Sequence, residues 1–164
     1  MSRIRRDQLL LPSILDRLID EDPGSQVETP RTRNQLLRDL KNSVRRDLEN
    51  LLNTRRSMFP IPDSRERLRQ STIGYGIPDF GMIPGGSDER REELRQDVED
   101  TIRRFETRLK SLTVDLVIDP NDAARRIIRF RIDGMLYAEP APEPVKFDSL
   151  LSVSRHEFQV KTLM

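Results

Sequence analysis

The chain has 164 residues, 35% hydrophobic and 35% charged, with 29 basic residues against 28 acidic ones for a formal net charge of +1. That length fits one domain of about 100–200 residues with room for an arm, and the near-neutral balance excludes the long-range field of a general nucleic-acid binder. Cysteine is absent, which excludes disulfides, thiol catalysis and cysteine-ligated zinc.

The opening M-S-R-I-R-R-D-Q-L-L-L-P clusters Arg3, Arg5 and Arg6, but its three-leucine run is too short for a signal-peptide core. No apolar run approaches the ~18 residues of a membrane span, so a cytoplasmic protein is expected. Leu11, Ile14, Leu15 and Leu18 then recur at helical spacing, with Pro12 suited to the first turn. E-D-P-G ends this helix near Asp20, and Glu21 to Arg31 is polar, with Pro23, Gly24 and Pro30, as in a linker. So short a helix is marginal alone in water. Its stripe either docks on a partner or folds back on its own domain.

A second helix is expected from Thr32, whose T-R-N-Q run makes a capping box with Gln35. Leu37, Leu40, Val44, Leu48, Leu51 and Leu52 form its apolar stripe. Asn53-Thr54-Arg55-Arg56 releases the chain, and Pro60 and Pro62 forbid a restart. Ser57 to Gly86 is irregular apart from a helical turn around Ser64–Gln70. A loop of this length often carries function. Tyr75, between Gly74 and Gly76, is either a contact residue or an aromatic lid over the core.

Ser87 can cap a third helix, with Asp88 and Glu89 at its positive end. Leu94, Val98, Ile102, Phe105 and Leu109 give its stripe, and Arg103, Arg104, Arg108 and Lys110 crowd its last turns. The period then falls to two. Leu112, Val114, Leu116 and Ile118 alternate, and Asp119-Pro120-Asn121-Asp122 turns the chain. Ile128 through Ala138 reads as one long strand bent at Asp133-Gly134. Pro140, Pro142 and Pro144 force an extended connection, and Val145–Phe147 and His156–Thr162 supply two short final strands. The predicted class is α+β: two long amphipathic helices packed on one face of a small antiparallel sheet, with a detached short N-terminal helix. Residues 1–31 form the arm and 32–164 the domain.

Five stretches carry a resemblance. They are V-R-R-D-L-E-N-L-L-N-T-R-R at Val44–Arg56, S-T-I-G-Y-G-I-P-D at Ser71–Asp79, R-R-F-E-T-R-L at Arg103–Leu109, I-R-F-R-I-D-G-M-L-Y-A-E-P at Ile128–Pro140 and P-V-K-F at Pro144–Phe147. In this order the chain resembles the TssE family of type VI secretion baseplate subunits, over roughly Leu9 to Val160. That family is related to the wedge protein of contractile phage tails whose domain is named lysozyme-like. The resemblance implies a non-enzymatic structural subunit that links the wedge to the first sheath ring and starts sheath assembly. The implied partners are the wedge subunits TssF, TssG and TssK and the sheath subunits TssB and TssC, in a sixfold assembly without nucleic acid or direct membrane insertion. The family's Glu-Pro-Arg motif, which helps lock the subunit into the wedge, falls on Glu106 and Arg108, with Thr107 in place of the proline. The resemblance also implies that the sheath continues the sheet. The expected partner-binding residues are Glu106, Arg108, Ile14, Leu15, Leu18, Arg55, Arg56 and Tyr75.

The alternatives are a lysozyme-like peptidoglycan hydrolase and the equivalent wedge protein of a phage tail. Glycoside hydrolysis needs two carboxylates flanking the sugar, one with a raised pKa. Glu106 is the best candidate acid, but Arg103 and Arg108 close in sequence favour its ionised form and a salt bridge. One histidine, His156, makes neither a zinc site nor a triad. G-Y-G-I-P-D fails the dinucleotide fingerprint at its third glycine. No catalytic, cofactor or metal residue is therefore expected.

Overall fold

The computed structural model describes residues 13–19, 24, 32–62, 64–79, 88–119, 126–138 and 141–163. The expected Leu11 and Pro12 at the helix start, most of the 21–31 linker, the Ser87 cap, the turn at Pro120–Asp122 and Pro140 lie outside the described residues. The elements run α1 (Ile14–Leu18), α2 (Arg33–Asn53), α3 (Glu66–Arg69), a 3-10 turn (Thr72–Gly74), α4 (Asp88–Phe105), β1 (Leu109–Val117), β2 (Ile127–Leu136), β3 (Glu143–Ser152) and β4 (Glu157–Leu163). The class is α+β.

The capping box forms as the sequence requires. Thr32 Oγ1 accepts from Gln35 N, and Gln35 Oε1 accepts from Thr32 N at 2.8 Å, which satisfies donors that the first turn leaves open. Helix α2 buries Val44, Leu48, Leu51 and Leu52, and α4 buries Leu94, Val98 and Ile102. These stripes cover one face of a four-stranded antiparallel sheet in the order β1-β2-β3-β4. Val114, Phe130, Ile132, Phe147, Leu151, Phe158 and Val160 supply the sheet's buried side. Helix α2 lies along β4 and α4 along β1, so each long helix covers an edge strand. Phe130 and Phe158 stack at 6.0 Å across the middle.

Several boundaries differ from the sequence reading. Helix α4 ends at Phe105, so Arg108 is in a turn, and Leu109 and Lys110 open β1 rather than closing the helix. Leu109 fits both periods and is buried either way. The long strand is continuous through Gly134, which pairs with Val145. The register break lies across the ladder in β1, between Lys110 and Thr113, where Ser111 has φ 49°. Strand β3 is longer than Val145–Phe147: Pro144 belongs to it, and it runs on to Ser152 because Val145, Phe147, Ser149 and Leu151 all face inward. A serine at an inward position hid that alternation. His156, expected in a strand, is an exposed turn residue with φ 56°. Helix α1 is tied to α2 through Asp16, while Ile14, Leu15 and Leu18 are 78%, 55% and 77% exposed.

Candidate functional site

The corner between α4 and β1 carries a dense polar network among the described residues. It begins with Glu106, which is buried at 6% exposure just past the end of α4. Its Oε1 accepts Arg108 Nε–H at 2.7 Å, and its Oε2 accepts an Nη2–H of the same guanidinium at 2.5 Å. This is the bidentate geometry that a planar guanidinium makes with a carboxylate. Oε1 also accepts the main-chain N–H of Arg108 at 3.1 Å, and Leu109 N–H bonds Glu106 O at 3.2 Å. These bonds bridge over the exposed Thr107 and fix the turn, the local restraint that a proline ring would otherwise supply. Arg108 O then accepts Tyr137 N–H at 2.8 Å, which ties the corner to the end of β2.

The same guanidinium reaches α2. Arg108 Nη2 donates to Asp47 Oδ2 at 2.6 Å, and Nη1 donates to Ser43 Oγ at 3.2 Å. Ser43 is buried at 5%, an unusual place for a serine until its second bond is seen, donated to Asp16 Oδ2 at 2.7 Å. Asp16 also accepts from Arg46 Nη2 at 2.7 Å, and Arg46 bonds Asp47. One chain of charges thus runs Glu106, Arg108, Asp47, Arg46, Asp16 and joins the α4–β1 corner, α2 and α1.

Charge balance in the network moves its titrations in consistent directions. The bond to Glu106 holds the Arg108 guanidinium firmly protonated against the opposing effect of burial. Arg46 is held protonated in the same way, first by Asp16. Burial pushes the Asp16 carboxyl up, but hydrogen bonds from Ser13, Ser43 and Arg46 outweigh it and hold the group at about 2. Tyr75 sits beside the network, half-buried, with its ring edge-on to Phe105 at 5.2 Å. Burial, then the negative charges of Asp47 and Glu106, push its hydroxyl up.

Two glycines place Tyr75. A side chain at Gly74 would put Cβ 2.0 Å from Arg69 O, and one at Gly76, which has φ +97°, would put it 2.2 Å from Thr54 O. The segment leaving α2 pairs with the segment leaving Tyr75: Arg56 N–H donates to Ile77 O at 2.8 Å, and Ile77 N–H to Thr54 O at 3.0 Å. This is why the Asn-Thr-Arg-Arg and Gly-Tyr-Gly-Ile-Pro stretches, distant in sequence, are adjacent in space. Arg55 is exposed and meets Asp79 at 3.6 Å. Arg56 faces Asp97, whose carboxyl burial pushes up and Arg56 pulls back down. Beside them Phe59, Ile61, Ile73 and Tyr75 line an open groove of about 590 Å³.

The structure therefore brings Glu106, Arg108 and Tyr75 together, sets Arg55 and Arg56 on the adjoining loop, and leaves Ile14, Leu15 and Leu18 facing outward on α1. Sequence reasoning missed Asp16, Ser43, Asp47 and Asn53. Ser43 interrupts the apolar stripe of α2 one residue before Val44, the signal that could have exposed it. With both oxygens of Glu106 accepting from Arg108, neither is presented as a proton donor to a substrate. No cluster of three or more metal-ligating side chains occurs among the described residues, and no described helix is long and apolar enough to cross a membrane.

A family model described as baseplate wedge protein gp25 matches residues 38–141. The chain belongs to the baseplate wedge family. The matched span takes in most of α2, the Tyr75 loop, α4, the Glu106–Arg108 corner and the first two strands. Membership accords with the TssE-like resemblance, and the family's proteins build baseplates of contractile injection systems. No curated protein and no solved structure matches the chain.

Proposed function

We propose that this protein is a non-enzymatic structural subunit of a type VI secretion baseplate. In this reading residues 1–31 form an arm on a wedge domain of residues 32–164, in the cytoplasm. The domain joins the wedge subunits TssF, TssG and TssK and offers its sheet to the first ring of TssB and TssC, so that sheath assembly starts on it. The observation that carries the reading is the outward stripe of Ile14, Leu15 and Leu18 on a helix held in place by Asp16. A five-residue helix holding three large apolar side chains in water is unfavourable without a partner, and helix-in-groove binding uses such anchors.

Glu106 and Arg108 contribute differently from the stripe. Their pairing is internal, so they act by fixing the shape of the corner that the wedge meets, with Arg55, Arg56 and Tyr75 forming its accessible rim. In this reading β1, an edge strand among the described residues, is the edge offered for strand addition.

The test is co-purification of the tagged full chain from its own cells, wild type beside Leu15→Asp/Leu18→Asp. Recovery of wedge and sheath subunits with wild type and their loss with the folded variant is the expected result. Wild type emerging alone, folded and stable, would sink the reading. Recovery of phage tail proteins instead would transfer the same role to a phage particle.

A further inference from the structure

Asn53, the last residue of α2, makes an unusual pair of bonds to an edge strand. Phe158 N–H donates to Asn53 Oδ1 at 2.8 Å, and Phe158 O accepts from Asn53 Nδ2 at 2.9 Å. An N–H has one hydrogen, so the main-chain groups of Phe158 point away from β3, toward the outer edge of the sheet. Alternation along an antiparallel strand puts those of Val160 and Thr162 on the same side. Val160 O is taken as well, by Arg45 Nη1 at 3.3 Å, a guanidinium anchored on Glu49 at 2.6 Å. The amide of Asn53 thus offers β4 the donor and acceptor that a fifth strand would offer.

The exposed face of β4 shows what such a strand could be. Glu157, Gln159 and Lys161 are all exposed. If a second copy of the chain pairs antiparallel about Gln159, Glu157 of each copy falls opposite Lys161 of the other, an attractive cross-strand pair. In that register Phe158 faces Val160 of the second copy, and their N–H and C=O groups would exchange bonds on both sides of the twofold axis. The groups needed are the ones that Asn53 and Arg45 occupy.

We propose that Asn53, with Arg45, closes the β4 edge against antiparallel pairing with a second copy of this chain. The edge is self-complementary in charge and in hydrogen-bonding phase, and the two side chains withhold three of its four main-chain groups at Phe158 and Val160. The inference is independent of the sheath reading and survives if that reading fails.

The test is sedimentation velocity on the purified full chain. Wild type runs at the monomer mass of 19.2 kDa, and Asn53→Ala doubles that mass. Lys161→Glu in the Asn53→Ala background returns it to monomer, and adding Glu157→Lys to both restores the doubling. Because the chain lacks cysteine, Gln159→Cys gives a clean reporter. Residues facing each other in a non-hydrogen-bonded pair have Cα atoms about 4.5 Å apart, within disulfide reach. Oxidative cross-linking through Cys at that position is expected to be several-fold faster with Asn53→Ala than without it. Asn53→Ser, a milder change, carries the same expectation should the alanine variant lose its cooperative melt. The proposal is overturned if the folded variants stay monomeric, if their association ignores the sign at 161, or if the reporter cross-links as fast with Asn53 intact.

Discussion

Replacing Arg108 with methionine removes a cation from four acceptor contacts while keeping much of the apolar stem. Glu106 would then remain buried at 6% exposure, without its bidentate partner. Breaking a buried ion pair by deleting one partner costs about 3–5 kcal/mol, chiefly because a charge is left uncompensated. The Arg108 side chain is 25% exposed and that of Asp47 31%, so water already shares part of this field. We therefore expect a loss of about 2–4 kcal/mol, against a typical domain stability of about 5–15 kcal/mol. At this chain length the melting temperature falls by roughly 5–15 °C. Glu106→Gln in the Arg108→Met background removes the stranded charge and recovers about 1–2 kcal/mol, although Glu106→Gln alone destabilises by a similar amount through weaker bonds to Arg108. Urea unfolding followed by far-ultraviolet circular dichroism measures all four corners of the cycle, the chain having no tryptophan to report by fluorescence. An Arg108→Met variant that unfolds within about 0.5 kcal/mol of wild type, or a double variant no more stable than Arg108→Met, would refute the buried-pair energetics.

Gly76→Ala should destabilise by about 2–4 kcal/mol, from the positive φ and a Cβ forced onto Thr54 O, and denaturant midpoints will show it. Leu15→Asp/Leu18→Asp should shift the same midpoints by less than about 0.5 kcal/mol, because both side chains are exposed; a larger loss would place them in the domain's own core. Asp16 has its carboxyl depressed in the docked state, so its contribution to holding α1 is full above an undocked value near 3.8 and is lost as pH falls from about 4 to about 2. A spin label at position 19, introduced as Ile19→Cys, should loosen over that window, and Asp16→Asn should loosen it at neutral pH; a label equally immobile throughout would contradict the latch.

What the sequence disclosed and what it concealed divide along physical lines. Capping boxes and apolar stripes are local, so Thr32 with Gln35, and the series from Leu37 to Leu52, were readable from spacing alone. The end of α4 was not readable in the same way. Leu109 suits a helical stripe and a strand core equally, and only the Glu106–Arg108 turn breaks the tie. Strand β3 was cut short because Ser149 stands where the pattern asks for an apolar residue. The contact between Asn53 and Phe158 spans 105 residues and has no local signature. Nor does the meeting of Arg55 with Ile77, although the glycines that permit it were plain in the sequence.

Under the proposed function, the position of Glu106 and Arg108 favours an indirect role for the pair. A partner competing directly for the Glu106 carboxylate would have to strip off Arg108, abandon the two bonds between the groups and disturb the Arg108 bond to Asp47, which would then rely on Arg46. The penalty, of the order of the 3–5 kcal/mol for a broken buried pair, would offset most of what one new ion pair returns. The same pair left intact fixes the turn over Thr107, sets the angle between α4 and β1, and, through Asp47 and Ser43, sets α2 and the Asp16 anchor of α1. Two of the features proposed for partner binding have their base on this network or beside it: the α1 stripe through Asp16, and Tyr75 through Phe105 and the field of Asp47 and Glu106. Loss of the pair is therefore expected to disturb the α1 stripe and the Tyr75 loop together, and the proposed partner surfaces with them.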